Sequence, residues 1–140
     1  MRIYFGGSIR GGTHDRELYL RLIEVLQGYG DVLTEHIFHE NADRHLDPAT
    51  LERSIYEQDM EWLTAADVVV AEVTGVSLGV GYEIGQADAM GKRVLCLYRE
   101  QEGRMLSAML LGNPKLTVRA YRDTETLADA KAIFDEFFHG

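Results

Sequence analysis

The sequence predicts a three-layer α/β sandwich on a five-stranded parallel sheet of order 2-1-3-4-5, as in flavodoxin-like and Rossmann-like folds. Short apolar runs alternate with segments of helical periodicity five times along the chain. The run VVVAEV at 68–73 is continuous and β-branched, which is typical of a central parallel strand. No linker, repeat or low-complexity tract interrupts the 140 residues, so we expect a single domain over 1–140.

The five strands are predicted from short runs of apolar and β-branched residues bounded by glycine or polar residues. In chain order they are RIYF at 2–5, VLTEHIF at 32–38, VVVAEV at 68–73, RVLCLY at 93–98 and LTVRAY at 116–121. Gly6 and Gly7 are expected to end the first strand.

Cys96 is interpreted as a buried strand thiol. A single cysteine cannot form an internal disulfide, so we expect a cytoplasmic protein, or a nuclear one in a eukaryote.

The helices are predicted from apolar residues that recur every three or four positions. In chain order they cover 15–29, 47–67, 82–90, 104–112 and 124–138. Asp47 is the expected cap of the second helix and Pro48 its first residue, because both residue types favour those places. Strands that alternate with helices imply right-handed crossovers, which place helices on both faces of the sheet.

The charge of the chain restricts its partners. Its formal net charge is −9, which opposes binding to a nucleic acid polymer because such binding depends on many basic residues. No apolar run approaches the roughly 18 residues of a membrane span, so we expect no membrane partner. If a phosphate is bound, we expect a single small group in a local pocket, and Arg10 becomes a candidate ligand.

Two glycine-rich segments follow the first and third strands, where ligands bind in a sheet of this order. They are GGSIRGG at 6–12 and TGVSLGVGYE at 74–83, and we expect them to face each other across one crevice. The hydroxyls of Ser8 and Ser77, the Arg10 guanidinium and the amides that open a helix suit a monophosphate. Neither segment matches a P-loop or a dinucleotide fingerprint. Each segment alone also fits a tight strand-to-helix turn.

Asp59 is a candidate acid because it lies on an apolar helix stripe, one turn from Ile55 and one from Leu63. Burial would raise the pKa of such a carboxyl, and a raised pKa suits a general acid near neutrality. The alternative is that this aspartate caps a neighbouring loop. The sequence pattern leaves both interpretations open.

Glu83 is a candidate nucleophile, predicted in the first turn of the helix after the second glycine segment. The helix dipole favours acids at that place in any protein, which is the competing explanation. The same field would keep the carboxylate ionised, as a nucleophile or charge stabiliser requires. An ionised and a protonatable carboxyl at one crevice are typical of glycosidic-bond cleavage through an oxocarbenium-like state.

Seven segments resemble one enzyme family in order along nearly the whole chain. They are YFGGSIRGG, VLTEH, YEQDMEWL, ADVVVAEVT, SLGVGYEIGQA, KRVLCLYR and GRMLSAM. The resemblance is to the 2′-deoxynucleoside 5′-phosphate N-hydrolases of the nucleoside 2-deoxyribosyltransferase superfamily. It implies release of the free base from a 2′-deoxynucleoside 5′-monophosphate, leaving 2-deoxyribose 5-phosphate, without a cofactor.

The resemblance also implies roles for individual residues. Glu83 would attack the sugar C1′ to form an ester that water hydrolyses, Asp59 would be the general acid/base, and Tyr4 would line the sugar pocket and help to exclude a 2′-hydroxyl. The residues implied in substrate binding are Gly7, Ser8, Ile9, Arg10, Gly11, His36, Ser77, Gly79, Ser107 and Met109. Among these, Ile9 and His36 would flank the base.

Ser107 is assigned a role only by the resemblance, which implies that it reaches the phosphate of the neighbouring subunit in a homodimer. From its own sequence context it is a mid-helix serine without a role. His36, His39 and His45 do not have the spacing of a known metal motif, so no metal site is expected.

Two other functions fit the fold. A deoxyribosyltransferase would bind an unphosphorylated nucleoside and pass the sugar to a second base, whereas the combination of Ser8, Arg10 and Ser77 favours a phosphate and hence the hydrolase. A non-catalytic nucleotide-binding module would bind without turnover, because this fold hosts many functions.

Overall fold

Five strands form one parallel sheet. In chain order they are β1 (Arg2–Gly7), β2 (Asp31–Leu33), β3 (Val68–Glu72), β4 (Arg93–Tyr98) and β5 (Leu116–Ala120). Their order is β2-β1-β3-β4-β5 and every pair is parallel, which confirms the predicted topology. The computed structural model describes residues 1–8, 15–33 and 47–140, so the predicted second strand beyond Leu33 lies outside the described residues.

Helices cover both faces of the sheet. In chain order they are α1 (Arg16–Leu26), α2 (Pro48–Ala65), α3 (Leu78–Ala89), α4 (Ala108–Leu111) and α5 (Ala128–His139). Asp47 caps α2 as predicted, since its carboxylate accepts the N–H of Thr50 at 3.0 Å. In the described ranges no helix combines the length and the apolar character that a bilayer crossing requires.

Successive residues of the central strands point to opposite faces, and both faces are buried. On one face Phe5 and Val70 pack against α1 and α5, in a cluster that includes Phe134 and Phe137. On the other face Tyr4 and other strand residues pack against the last turns of α2 and against α3. Cys96 is fully buried there, and burial raises its pKa to about 12.

The first strand is longer than predicted. Gly6 and Gly7 do not end it but pair with Ala71 and Glu72 of β3. The prediction was wrong because a partner strand that continues supplies hydrogen bonds that outweigh the low strand propensity of glycine.

Three helices begin several residues away from their predicted starts. α4 starts at Ala108 instead of 104, because Ser107 caps it. α3 starts at Leu78 instead of 82, because Ser77 caps it by accepting the N–H of Val80 at 3.2 Å. Gly79 therefore lies in a helix and not in a loop. α5 starts at Ala128 instead of 124, because the Asp123 carboxylate accepts several N–H groups of the preceding turn.

Candidate active site

Ser8, which follows β1, lies against Gly75, which follows β3, at the edge where the two glycine-rich segments were predicted to face each other. Ser8 is buried at the end of β1, and a methyl group placed on Gly75 would lie 3.3 Å from its Cβ. A side chain at position 75 would therefore push the two segments apart. The carboxyl ends of β1 and β3 form the crevice where ligands bind in sheets of this order.

Ser77 presents a donor at the start of α3. Its Oγ accepts the Val80 N–H, which leaves its own hydroxyl proton available to another acceptor. The amides of Leu78 and Gly79 belong to the first helical turn, which has no preceding helical carbonyls to bind them. The helix start therefore combines one hydroxyl and backbone N–H groups, the usual components of an anion site.

Glu83 lies in the second turn of α3 and not in the first, so the predicted placement was wrong by one turn. The field of the helix dipole falls off beyond the first turn, so it favours a carboxylate at position 83 less than expected. The absence of a side chain at Gly6 matters more for the placement of this carboxylate. A Cβ on Gly6 would lie 3.2 Å from Glu83 Oε2, so the half-buried carboxylate fits against bare backbone of β1.

Tyr4 connects the two candidate carboxylates. Its side chain is fully buried, and burial raises the pKa of its hydroxyl well above the usual range. The negative charges of Glu83 and Asp59 raise this pKa further. Both carboxylates therefore lie within electrostatic reach of one phenol, although α2 carries one and α3 the other. The two acids share one flank of the sheet, and Tyr4 stays protonated at neutral pH.

Asp59 is half-buried, but the stripe around it differs from the prediction. Leu63 is buried, whereas Ile55 is 41% exposed. The expectation of a continuous buried stripe was wrong, because only the last turns of α2 pack on the sheet and its first half projects into solvent. Asp59 lies at this transition, between buried and exposed turns of the helix.

Four predicted binding residues lie outside the described residues, namely Ile9, Arg10, Gly11 and His36, and so do His39 and His45. Ser107 is the N-cap of α4 and not a mid-helix residue, since its Oγ accepts the Met109 N–H at 3.1 Å. Both Ser107 and Met109 are exposed.

The sequence reasoning missed a buried ion cluster at the same end of the sheet. Glu72 has no exposed surface, and its carboxylate accepts the Thr74 N–H at 2.6 Å and the Tyr121 hydroxyl. The Nε of Arg99 lies 3.4 Å from its Oε2. The signal was present in VVVAEV, because a lone acid in a buried strand requires compensating donors.

Across 1–8, 15–33 and 47–140, no group of histidine, cysteine and acidic residues could hold a metal ion.

Comparisons of the sequence and of the fold with known proteins agree with one another. The sequence model of the nucleoside 2-deoxyribosyltransferase family matches residues 3–131. A 5-hydroxymethyl-dUMP N-hydrolase of Esox lucius is 45% identical, over 100% of this chain and 97% of its own. The enzyme of the same name from Homo sapiens is 50% identical, over 97% of this chain and 78% of its own. The solved CMP N-glycosidase of Clostridium botulinum shares the fold with a TM-score of 0.68 and 20% identity, covering 98% of this chain and 99% of that one.

Proposed function

Since this chain belongs to the nucleoside 2-deoxyribosyltransferase family, we propose that it hydrolyses the N-glycosidic bond of 2′-deoxynucleoside 5′-monophosphates. The products are the free base and 2-deoxyribose 5-phosphate. The relatives from Esox lucius and Homo sapiens are named for 5-hydroxymethyl-dUMP, so this nucleotide is the first substrate to test.

One observation carries the proposal: the carboxylates of Glu83 and Asp59 both lie within electrostatic reach of the buried Tyr4 hydroxyl. A carboxyl pair at one apolar pocket can supply a nucleophile and a proton donor for cleavage at an anomeric carbon. Because the Tyr4 hydroxyl stays protonated, it can donate a hydrogen bond to the carboxylate that attacks.

The proposed reaction has two displacements. A Glu83 oxygen forms a bond to C1′ while the bond from C1′ to the base nitrogen breaks, and the leaving base takes a proton from Asp59. In the second step water attacks C1′, Asp59 takes its proton, and Glu83 leaves as a carboxylate. Asp59 thus returns to its protonated state, and the base and the sugar phosphate are released.

The proposed phosphate site lies at the edge of the sheet where Ser8 meets the segment that carries Ser77. Ser8 and Ser77 provide hydroxyls, and the first amides of α3 provide N–H groups. Arg10 completes the site in the proposal as the cation. Binding energy from this remote phosphate can then be used to hold C1′ against Glu83 in the transition state.

The test of the function is incubation of the purified protein with 5-hydroxymethyl-dUMP and chromatographic detection of 5-hydroxymethyluracil. We expect base release from the monophosphate and much slower release from the corresponding nucleoside. The Arg10→Ala variant should lose most of this preference for the phosphorylated substrate. Equal loss on both substrates would contradict the phosphate assignment.

Added free adenine separates the hydrolase from the transferase. A hydrolase gives 2-deoxyribose 5-phosphate whether or not adenine is present, whereas a transferase gives a new adenine nucleotide or nucleoside. Binding of the monophosphate without any base release would identify a non-catalytic module.

The proposal includes a homodimer in which Ser107 reaches the partner's phosphate. It is supported by exposed apolar side chains on or next to α2, α3 and α4. These residues are Ile55, Tyr56, Val76, Leu78, Tyr82, Met90, Met105, Met109 and Leu111. Among them, the rings of Tyr56 and Tyr82 meet edge to face, with centroids 6.4 Å apart. Exposed apolar patches of this kind mark protein interfaces.

Light scattering on a Leu111→Glu variant tests the dimer. A buried charge at the interface should give a monomer and should lower base release, because each site would lose the partner's serine. The matched control is Ala132→Glu on α5, which adds the same charge to the opposite face and should leave the dimer intact. A dimeric Leu111→Glu protein would contradict this interface.

A further inference from the structure

The buried ion cluster connects three consecutive strand ends of the sheet. Glu72 ends β3, Arg99 directly follows β4, and Tyr121 directly follows β5. Their side chains meet at the Glu72 carboxylate, which the Arg99 guanidinium and the Tyr121 hydroxyl both contact. An unpaired carboxylate at this depth would be strongly destabilising, so the cluster depends on Arg99 for its charge balance.

The cluster holds the segment that leads from β3 into α3. The Glu72 carboxylate fixes the Thr74 N–H at 2.6 Å, and the Thr74 hydroxyl accepts the N–H of Arg99 at 2.9 Å. Thr74 immediately precedes Gly75, the residue that touches Ser8. The side of the crevice that carries Ser77 is thus anchored to the strands by named hydrogen bonds.

Arg99 also reaches the start of α1. Its Nη2 donates to Asp15 Oδ2 at 2.8 Å. Asp15 occupies the N-cap position of α1 yet makes no side-chain capping hydrogen bond there. Aspartate is among the preferred N-cap residues because its carboxylate bonds the helix amides. In this chain the carboxylate is instead committed to Arg99, an arrangement that local helix stability does not explain.

We propose that Arg99 is a positioning residue for the phosphate site. One guanidinium holds Glu72, and through it the segment before α3, and the same guanidinium holds Asp15 at the beginning of α1. The segment that leads into α3 therefore takes its position from Arg99, which also holds the start of α1, although Arg99 itself need not touch the substrate. This inference rests on the proposed function, because it assumes that the crevice binds the 5′-phosphate.

A purely structural role for Arg99 makes a different prediction. If the cluster served stability alone, its loss would lower the melting temperature and weaken every ligand in equal proportion. A positioning role weakens the phosphorylated ligand more than the unphosphorylated one, since small displacements of binding groups are costly only to the ligand that uses them. The ratio of the two affinities therefore separates the explanations.

The experiment measures binding by calorimetry of 5-hydroxymethyl-dUMP and of its nucleoside, 5-hydroxymethyl-2′-deoxyuridine. All proteins carry Glu83→Gln to prevent turnover, and the added variants are Arg99→Met, Arg99→Lys and Asp15→Asn. The matched control is Arg93→Met, which removes the arginine at the other end of β4, where the guanidinium lies 4.1 Å from the Phe137 ring centroid. Each variant's melting temperature is recorded.

We expect Arg99→Met to weaken the monophosphate about tenfold or more and the nucleoside less than about threefold. Arg99→Lys should recover part of the loss, because it restores the charge but not the forked geometry. Arg93→Met should leave the ratio of affinities unchanged. Equal weakening of both ligands by Arg99→Met, or no weakening of either, would overturn the inference.

If Arg99→Met does not fold, Asp15→Asn decides. It removes the charge that pairs with Arg99 and leaves the contact between Arg99 and Glu72 in place. A fall in the affinity ratio would support the inference, whereas an unchanged ratio would overturn it. Failure of the proposed function would give a different result. The protein without any substitution would then release no base, whatever Arg99→Met does to binding.

Discussion

Glu72 and Glu83 lie at the same end of the sheet but have opposite environments. Glu72 is fully buried, and its oxygens are already occupied by a backbone amide, a phenol and a guanidinium. Glu83 is half-buried, lies against the bare backbone of Gly6, and shares the flank of Tyr4 with Asp59. The comparison teaches that solvent access and the neighbouring groups separate a structural carboxylate from a reactive one.

The largest expected effect comes from replacing the charged carboxylate of each glutamate by a neutral amide. Glu83→Gln should lower the turnover number about 10³-fold or more, because the amide cannot form the ester with C1′. Glu72→Gln, its matched control, should unfold at lower temperature but keep turnover at saturating substrate. Chromatographic base release with thermal unfolding measures both. Comparable turnover in the two variants would show that the distinction between the carboxylates is false.

Asp59→Asn should have the next largest effect, about 10²-fold on turnover, because a general acid contributes on that order. The control on the same helix is Glu57→Gln, which changes an exposed acid that pairs with Arg53 one turn away. Chromatographic base release measures both variants. An Asp59→Asn variant with full activity would exclude Asp59 from the chemistry.

Gly6→Ala probes the space beside the Glu83 carboxylate. The added methyl group would lie 3.2 Å from Oε2, so the carboxylate must shift, and we expect turnover to fall about tenfold with little change in substrate affinity. Gly85→Ala on α3 is the control, because nothing lies within 4 Å of its added methyl group. That change should leave turnover intact and favour the helix slightly. Equal turnover numbers of Gly6→Ala and Gly85→Ala in steady-state kinetics would contradict the close approach of the Glu83 carboxylate to Gly6.

The smallest effect is expected outside both regions, at Asp123. Hydrogen bonds from Thr126 and from nearby backbone amides lower the pKa of this carboxyl to about 2. Its contribution to stability should be fully present above the unfolded pKa near 3.9 and lost as the pH falls through about 2. Urea unfolding at about pH 6 and about pH 2 should show Asp123→Asn less stable than the parent only at the higher pH. A stability difference that does not change with pH would contradict the assignment.

The sequence was a good guide wherever a local pattern carried the information. Alternating runs gave the five strands and their order, and Asp47 with Pro48 located the start of α2, because capping and helix periodicity act within a few residues. The strand and helix boundaries near glycines were predicted less accurately. Gly6 joined β1, and Gly79 joined α3, because strand pairing and the Ser77 cap outweighed the local preference.

The candidate chemistry divides in the same way. The residue types of Glu83 and Asp59, each next to a helix or glycine signal, were readable from the sequence, and so was the contact between the two segments at the crevice. Only the tertiary structure decided that both acids share the flank of Tyr4 and that Gly6 makes room for one of them. It alone joined Glu72, Arg99 and Asp15, because electrostatic partners far apart in sequence leave no periodic trace and meet only when the sheet is complete.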